Sequence, residues 1–295
     1  MTRKPALLPE IDGETILFGI IGYPVSHSLS PKIHNSAFHS IGLNAAYLPL
    51  SVPKPDKSLK NWILSIQNFR GFSVTIPHKS WAYKIADERD DLSRCCGASN
   101  TLIKLPNNRL AAYNTDGPGA LDALRKSGVK LKNKQILLLG YGGSASAIAH
   151  SLLLEENPQN LYVHGRNPKK RNNFTNTLRR SHPNMRLKIH SNEMDQINPD
   201  EIDIIIHTTP LGMKNQEQAI PLPEGFIQKK HTVFDIVYTP HNTPLLEYAA
   251  KKGAKTVHGY LMLLYQAVRQ FELFTGKKAP IKLMEKKLCE ALKIK

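Results

Sequence analysis

The chain has 295 residues, 41% of them hydrophobic, which is enough to build cores for two domains and excludes a disordered chain. Forty basic against twenty-four acidic side chains give a net charge of +16, but the excess is scattered and no finger or RNP-type signature accompanies it. That reads as solvated charge able to attract anions, with no nucleic-acid partner expected.

The apolar stretch Ile16–Ile21 is interrupted by Gly19 and is too short for a bilayer span or a secretory core, so a cytoplasmic protein with no membrane partner is expected. Residues 1–14 hold Pro5, Pro9 and Gly13 without periodicity and read as a loose arm with no assigned role. A strand at Ile16–Ile21 follows. Ser30-Pro31 then reads as an N-cap with proline at the first helical position, opening a helix through Ile33, Ala37 and Phe38. A strand at Ala46–Leu50, a helix at Leu59–Asn68 and a strand at Gly71–Ile76 continue a β-α-β-α-β alternation. A strand pair, Ser99–Lys104 and Leu110–Tyr113, turns through Pro106, Asn107 and Asn108 and completes a first domain over residues 1–115.

A helix through Leu121 and Leu124 opens a second domain, residues 116–258. Its strands are expected at Ile136–Leu139, Leu161–His164, Ile202–His207, Val233–Ile236 and Lys255–Val257, the pattern of a doubly wound α/β sheet. Beyond Gly259, apolar residues at 261, 264, 265, 268, 271 and 273 recur at helical spacing, and a second helix follows Pro280. Residues 259–295 are expected to pack these helices back on the first domain. The fold class is therefore α/β with two α/β domains.

Three segments carry chemistry. Gly22–Asn35 and Gly71–Lys79 supply small hydroxyls without metal-ligand spacing, which suits a polar, hydroxylated, anionic small molecule. Lys79 is followed 37 residues later by Asp116, a pair able to move a hydroxyl proton as a carbonyl forms. A lysine ordinarily titrates near about 10.4, so desolvation or a shared carboxylate must help such a base, and those two influences oppose each other. The third segment, Leu137–Ser146, runs from an apolar strand into Gly140, Tyr141, Gly142, Gly143 and Ser144, where a nucleotide pyrophosphate is cradled at a helix N-terminus. The next strand ends without the acid that an NAD ribose needs and reads Gly165, Arg166, Asn167, Pro168, Lys169, Lys170, Arg171 instead. That basic run predicts NADP. Arg166 is the favoured partner of a 2′-phosphate, with Lys169 and Arg171 as solvated neighbours. Together the segments point to a dehydrogenase acting on a polyol acid.

No metal site is expected. His27 and His34 stand seven apart, the run Asp87, Glu88, Asp90, Asp91 has helix-surface or N-cap composition, and Cys95, Cys96 and Cys289 read as reduced structural thiols.

Ordered motifs along nearly the whole chain carry a family resemblance: Ser26–Pro31 with His34-Asn35, Val74–Lys79, Gly97–Leu102, Asn114–Gly117, the Gly140 turn, Thr208–Met213, Asp235–Tyr238, and Met262-Leu263 before Gln266. On these the chain resembles the shikimate dehydrogenases, which interconvert 3-dehydroshikimate and shikimate with NADPH in the pathway to chorismate and the aromatic amino acids. The resemblance implies a substrate domain followed by a Rossmann-like NADP domain, with Lys79 and Asp116 as the catalytic pair. It implies that Ser28 and Ser30 bind the substrate carboxylate near Tyr238, and that Thr75, Lys79, Asn100, Asp116 and Gln266 meet the ring hydroxyls. On the cofactor side it implies Gly165, Arg166, Asn167 and Lys170 at the adenosine phosphate, Thr209 near the phosphates or ribose, and Ile236 and Gly259 beside the nicotinamide. A monomer or homodimer is expected. Two departures stand out: Ser73 replaces the family's asparagine, shortening a polar arm beside Lys79, and Tyr260 follows Gly259 where leucine is usual. They raise the alternative of a quinate or aminoshikimate dehydrogenase; a non-catalytic binding module that kept the fold is a separate alternative, against which the presence of both Lys79 and Asp116 argues.

Overall fold

A computed structural model describes residues 11–183 and 188–294. Most of the arm expected over residues 1–14 lies outside them, although Asp12 is held where Thr15 Oγ1 and Asn44 Nδ2 donate to its carboxylate. The chain forms two compact units. The first takes the described residues up to Ser93, Gly97–Tyr113 and the chain from Ala267 onward, and the second takes Arg94–Cys96 and Asn114–Gln266.

The first unit contains β1 (Ile16–Gly22), α1 (Ser30–Ser40), β2 (Ala45–Ser51), α2 (Lys57–Ser65), β3 (Phe69–Val74) and α3 (Lys79–Ile85). β4 (Glu88–Arg89), α4 (Asp91–Cys96, whose last three residues belong to the second unit), β5 (Thr101–Lys104) and β6 (Leu110–Tyr113) follow. The strands form one sheet in the order β2-β1-β3-β5-β6-β4, with β1 parallel to β2 and β3, and β5 antiparallel to β3 and β6. The β5–β6 turn closes as expected, through Asn108 at positive φ. The acidic run acts as a cap and a clamp: Asp90 accepts the Ser93 N–H at the start of α4, and Asp87 accepts the Leu110 N–H.

One expectation needs correction. Ser30 is not an N-cap: it is the first residue of α1, Leu29 holds the cap position, and no side chain caps the helix. Ser28 instead turns its hydroxyl inward along the chain and accepts the Ser30 N–H at 3.3 Å.

The second unit contains α5 (Asp116–Lys126), β7 (Gln135–Leu139), α6 (Gly143–Glu155), β8 (Asn160–His164), α7 (Pro168–Ser181), β9 (Lys188–Ser191), β10 (Ile204–His207), β11 (Thr232–Asp235), α8 (Pro244–Lys251) and β12 (Lys255–His258). α9 (Gly259–Thr275) and α10 (Ile281–Leu292) end the chain, and α9 carries it from the second unit into the first at Ala267. The six strands are all parallel, in the order β9-β8-β7-β10-β11-β12, so the winding reverses between β7 and β10. Ligands of such sheets bind outside the carboxyl ends of the strands at that reversal.

Each unit has its own core. In the first, α1 packs on α10, and Phe18, Phe38, Phe271 and the His34 ring join Tyr47 and Phe274 in one aromatic cluster. Burying each such side chain contributes about 1.5–3 kcal/mol. In the second, α5 lies so close to α6 that a Cβ on Gly117 would stand 2.2 Å from the Ala147 carbonyl oxygen, which is why small residues line that contact. No helix among the described residues is long and apolar enough to cross a membrane.

Candidate active site

In the first unit the hydroxyl-bearing segments meet at one end of the sheet's strands, where β1 and β3 end and the antiparallel β5 begins. A Cβ on Gly22 would stand 2.3 Å from Thr75 Cγ2, so the loop carrying Ser28 and Ser30 can approach the β3–α3 loop only with glycine at its root. Lys79 is the first residue of α3 and half-buried. Its carbonyl accepts the Ser99 N–H, and the preceding residue is anchored by the His78 ring donating to the Val52 carbonyl at 2.6 Å. Thr75 is held by its own N–H to Ile21. A side chain rooted this firmly loses little further freedom when it meets a substrate.

Asn100 is 2% exposed, and the polar chain that orients it runs through Ser73. The Tyr47 hydroxyl donates to Ser73 Oγ (2.6 Å), Ser73 to Gln270 Oε1 (2.7 Å), Gln270 Nε2 to Thr101 Oγ1 (3.0 Å) and Thr101 to Asn100 Oδ1 (2.9 Å). Every donor in this chain finds an acceptor, which is what a buried polar network requires. Ser73 is thus the middle of a relay in which the Tyr47 phenol supplies the reach that a shorter side chain gives up. Burial pushes the Tyr47 phenol's pKa upward, so it stays a neutral donor.

In the second unit Asp116 is the buried first residue of α5, with its N–H donated to Asn114 Oδ1 at 3.1 Å. Gln266, also buried, has its main-chain carbonyl accepting the Thr115 hydroxyl (3.2 Å), while its own Nε2 donates to Leu263 O (2.9 Å). Tyr238 follows β11, and burial raises its phenol above the usual range.

The cofactor segment opens on a cavity of about 560 Å³ lined by Gly140, Tyr141, Gly142, Gly165, Arg166, Thr208, Thr209 and residues of the loops beyond them. It lies at the carboxyl ends of β7 and β10, at the winding reversal. Gly140 has φ 118°, and a Cβ there would stand 2.4 Å from Thr208 Oγ1, so only glycine permits the turn. Around Gly142 and Gly143 an added Cβ would meet nothing within 4 Å, and no side chain caps α6. Backbone N–H groups at an uncapped helix N-terminus beside open space fit a pyrophosphate. Ser144 lies in that first turn.

Beyond β8 the basic run divides. Arg166, Lys169 and Lys170 are exposed and Arg166 lines the cavity, whereas Asn167 caps α7 by accepting the Lys170 N–H at 2.9 Å. Arg171, read from sequence as a solvated neighbour, is instead 3% exposed and is spent on Glu193 (2.6 Å) and Ser191 (3.0 Å). It is a structural ion pair on the β9 side of the sheet. Gly165 also finds its reason: a Cβ would stand 2.4 Å from the Tyr141 ring, whose hydroxyl accepts the Asn167 N–H at 3.3 Å.

Thr209 rests on groups that sequence reading passed over. Its hydroxyl pairs with His207 Nε2 at 2.5 Å, the other ring nitrogen of His207 faces Asp235 Oδ1 at 3.0 Å, and Thr243 donates to Asp235 Oδ2 at 2.6 Å. His207, Asp235 and Thr243 are fully buried. A carboxylate that fixes the imidazole tautomer holds Thr209 in place. Gly259 is hemmed in as well, since a Cβ would stand 2.3 Å from the Ile236 carbonyl oxygen. Tyr260 packs against the stacked rings of His241 and His258.

The model of the shikimate dehydrogenase substrate binding domain matches residues 20–102, and that of the shikimate 5'-dehydrogenase C-terminal domain matches residues 259–289. Shikimate dehydrogenase (NADP(+)) of Leptospira interrogans is 45% identical over 265 residues, covering 88% of this chain and 89% of that one. A shikimate dehydrogenase solved in complex with NADP+ is 33% identical, with a TM-score of 0.89 over 97% of this chain and 99% of its own. The Thermus thermophilus shikimate 5-dehydrogenase in complex with NADP(H) and shikimate is 30% identical, with a TM-score of 0.79 over 94% of this chain and all of its own (100%). Identity at this level over most of both chains establishes that the chain belongs to the shikimate dehydrogenase family.

Proposed function

We infer that this chain catalyses the reversible NADPH-dependent reduction of 3-dehydroshikimate to shikimate, with Lys79 and Asp116 handling the proton. The observation that carries the reading is the 45% identity over 88% of the chain to an NADP-dependent shikimate dehydrogenase. The open glycine turn and the exposed Arg166 support the phosphorylated dinucleotide.

Bound NADPH supplies the hydride to the ring carbonyl. Lys79 donates the proton that the developing alkoxide needs, and Asp116 holds or shares that proton when the reaction runs toward the ketone. Asn100, oriented by the relay from Tyr47, presents its amide to a ring hydroxyl together with Thr75 and Gln266. Ser28 and Ser30 donate to the substrate carboxylate, and the neutral Tyr238 phenol is a further donor to it. Binding groups of this kind reject analogues that lack a matching hydroxyl, because the site's own buried polar atoms would be left unpaired. Arg166 and Lys170 take the 2′-phosphate, with Asn167 shaping the turn between them.

Initial rates with shikimate or quinate, each paired with NADP or NAD, test the assignment. A dominant rate with shikimate and NADP is expected; a preference for quinate, or no turnover of either acid, would overturn it.

A further inference from the structure

Away from the dinucleotide cavity, the second unit brings together three side chains that are far apart in sequence and have no part in the reaction. Cys95 lies in the last turn of α4, His150 near the middle of α6, and His182 caps the end of α7. Their ligand atoms all lie within 4.8 Å of one another. His150 is 1% exposed, and its Nδ1 faces His182 Nε2 at 2.8 Å. Cys95 and His182 are half-buried, so the cluster can be reached from solvent. None of the three lines the cofactor cavity, and His150 stands seven residues, about 10 Å, along α6 from its glycine-rich start.

We propose that Cys95, His150 and His182 form a zinc site that clips the ends of α4 and α7 to α6. Two imidazoles and a thiolate are the nitrogen and sulfur donors that zinc prefers over the oxygen sets of magnesium or calcium. With Zn–N near about 2.0–2.1 Å and Zn–S near about 2.3 Å, tetrahedral geometry puts the two nitrogens about 3.4 Å apart and each nitrogen about 3.6 Å from sulfur. The pair at 2.8 Å therefore opens by about half an ångström and the thiol closes in by up to about 1 Å, movements within the reach of side-chain torsions. Among the described residues the cluster supplies three ligands, and water completes the tetrahedron.

The proton balance is simple. The Cys95 thiol loses its proton to solvent on binding. Each imidazole stays neutral and keeps one N–H, on Nε2 of His150 and on Nδ1 of His182. The proton now shared between the facing nitrogens moves to the outer nitrogen of the ring that donates it.

Cobalt(II) titration of the untagged, metal-stripped full-length protein under reducing, anaerobic conditions reads this site directly. The expected result is one equivalent of cobalt giving a thiolate-to-cobalt charge-transfer band with visible bands of tetrahedral intensity, all bleached by one equivalent of zinc. Losing a supporting partner of a metal ligand weakens binding by about 10–100-fold, so losing a ligand itself should cost about 100-fold or more. Cys95→Ser should abolish the charge-transfer band, and His182→Ala should weaken binding by that factor. Both positions are half-buried, and folding of the variants is checked by circular dichroism and by shikimate turnover without metal, which should match the parent. Binding without a thiolate band, a band that survives in Cys95→Ser, or unchanged affinity in His182→Ala would overturn the site.

Discussion

The Tyr47 hydroxyl donates to Ser73 Oγ at 2.6 Å, and through that contact a residue on β2 governs the orientation of Asn100 at the far end of the relay. Ser73→Ala removes the centre of the chain, taking from the Tyr47 phenol its acceptor in the relay and from Gln270 Oε1 its donor. The expected cost is about 1–3 kcal/mol in urea unfolding. Tyr47→Phe combined with Ser73→Ala should cost less than the sum of the two single changes, because the first already removes what the second would orphan. Strict additivity would show that the relay is not one unit. With Asn100 less firmly oriented, KM for shikimate should rise more than kcat falls.

Arg166 and Arg171, five residues apart, should answer differently to alanine. Charge-assisted hydrogen bonds are worth about 1.5–3 kcal/mol, so Arg166→Ala should lower kcat/KM for NADP by about 10–100-fold and leave the NAD rate nearly unchanged. Arg171→Ala removes a buried guanidinium that holds the exposed Glu193 and Ser191, so it should lower the melting temperature and leave the NADP-to-NAD ratio in place. Steady-state rates and a melting curve for each variant separate the two roles.

His34 supplies a pH dependence of stability. It stacks on Tyr47 at 4.5 Å among Phe38, Phe271 and Phe274, with the Gln270 amide as the polar group beside it, and neither ring nitrogen makes a hydrogen bond of normal geometry. Burial holds its pKa down at about 3 against 6.5 for the free side chain. Below 6.5 the unfolded chain takes up a proton that the folded chain refuses until about pH 3, so this contribution is lost as pH falls through that window. The slope approaches about 1.4 kcal/mol per pH unit at most. His34→Phe keeps the stack and should flatten the fall in melting temperature between neutral pH and pH 5; an unchanged slope would place the acid sensitivity elsewhere.

Gly259 and Gly140 are predicted to tolerate no side chain, for different reasons. At Gly259 an added methyl meets the Ile236 and Val237 carbonyl oxygens, whereas at Gly140 both the positive φ and the Thr208 hydroxyl stand in the way. Gly140→Ala should therefore raise KM for NADP at least tenfold while shikimate binding, followed by fluorescence or calorimetry, holds. Gly142→Ala, which meets nothing within 4 Å, should fold as the parent does and lose only cofactor affinity.

Much of this architecture is legible in the sequence because short continuous apolar runs, helical spacing and glycine punctuation mark β and α segments locally. The strand-turn-helix at Leu137–Ser146 is the clearest case. What was not legible depended on contacts between distant segments. Arg171 looks like its exposed neighbours until Glu193 and Ser191 fold against it, and Ser30-Pro31 carries a capping signature that Leu29 pre-empts. The short helices α3 and α4 have too few turns to show a period. The same limit hid the cluster of Cys95, His150 and His182, whose ligand atoms converge from three helices with no spacing rule to reveal them. Ser73 could be marked as a departure, but the Tyr47 hydroxyl that completes it lies 26 residues away.

In the proposed reaction Lys79 moves the proton while NADP takes the hydride. The most direct test is the rate of NADP reduction with saturating shikimate, compared between the parent and Lys79→Ala, with NADP and shikimate affinities measured independently. The account predicts a fall in kcat of about 10²–10⁴-fold, the usual worth of a positioned acid–base group, with NADP affinity unchanged. A Lys79→Ala enzyme that keeps its kcat, or one that loses activity only through NADP binding, would contradict it.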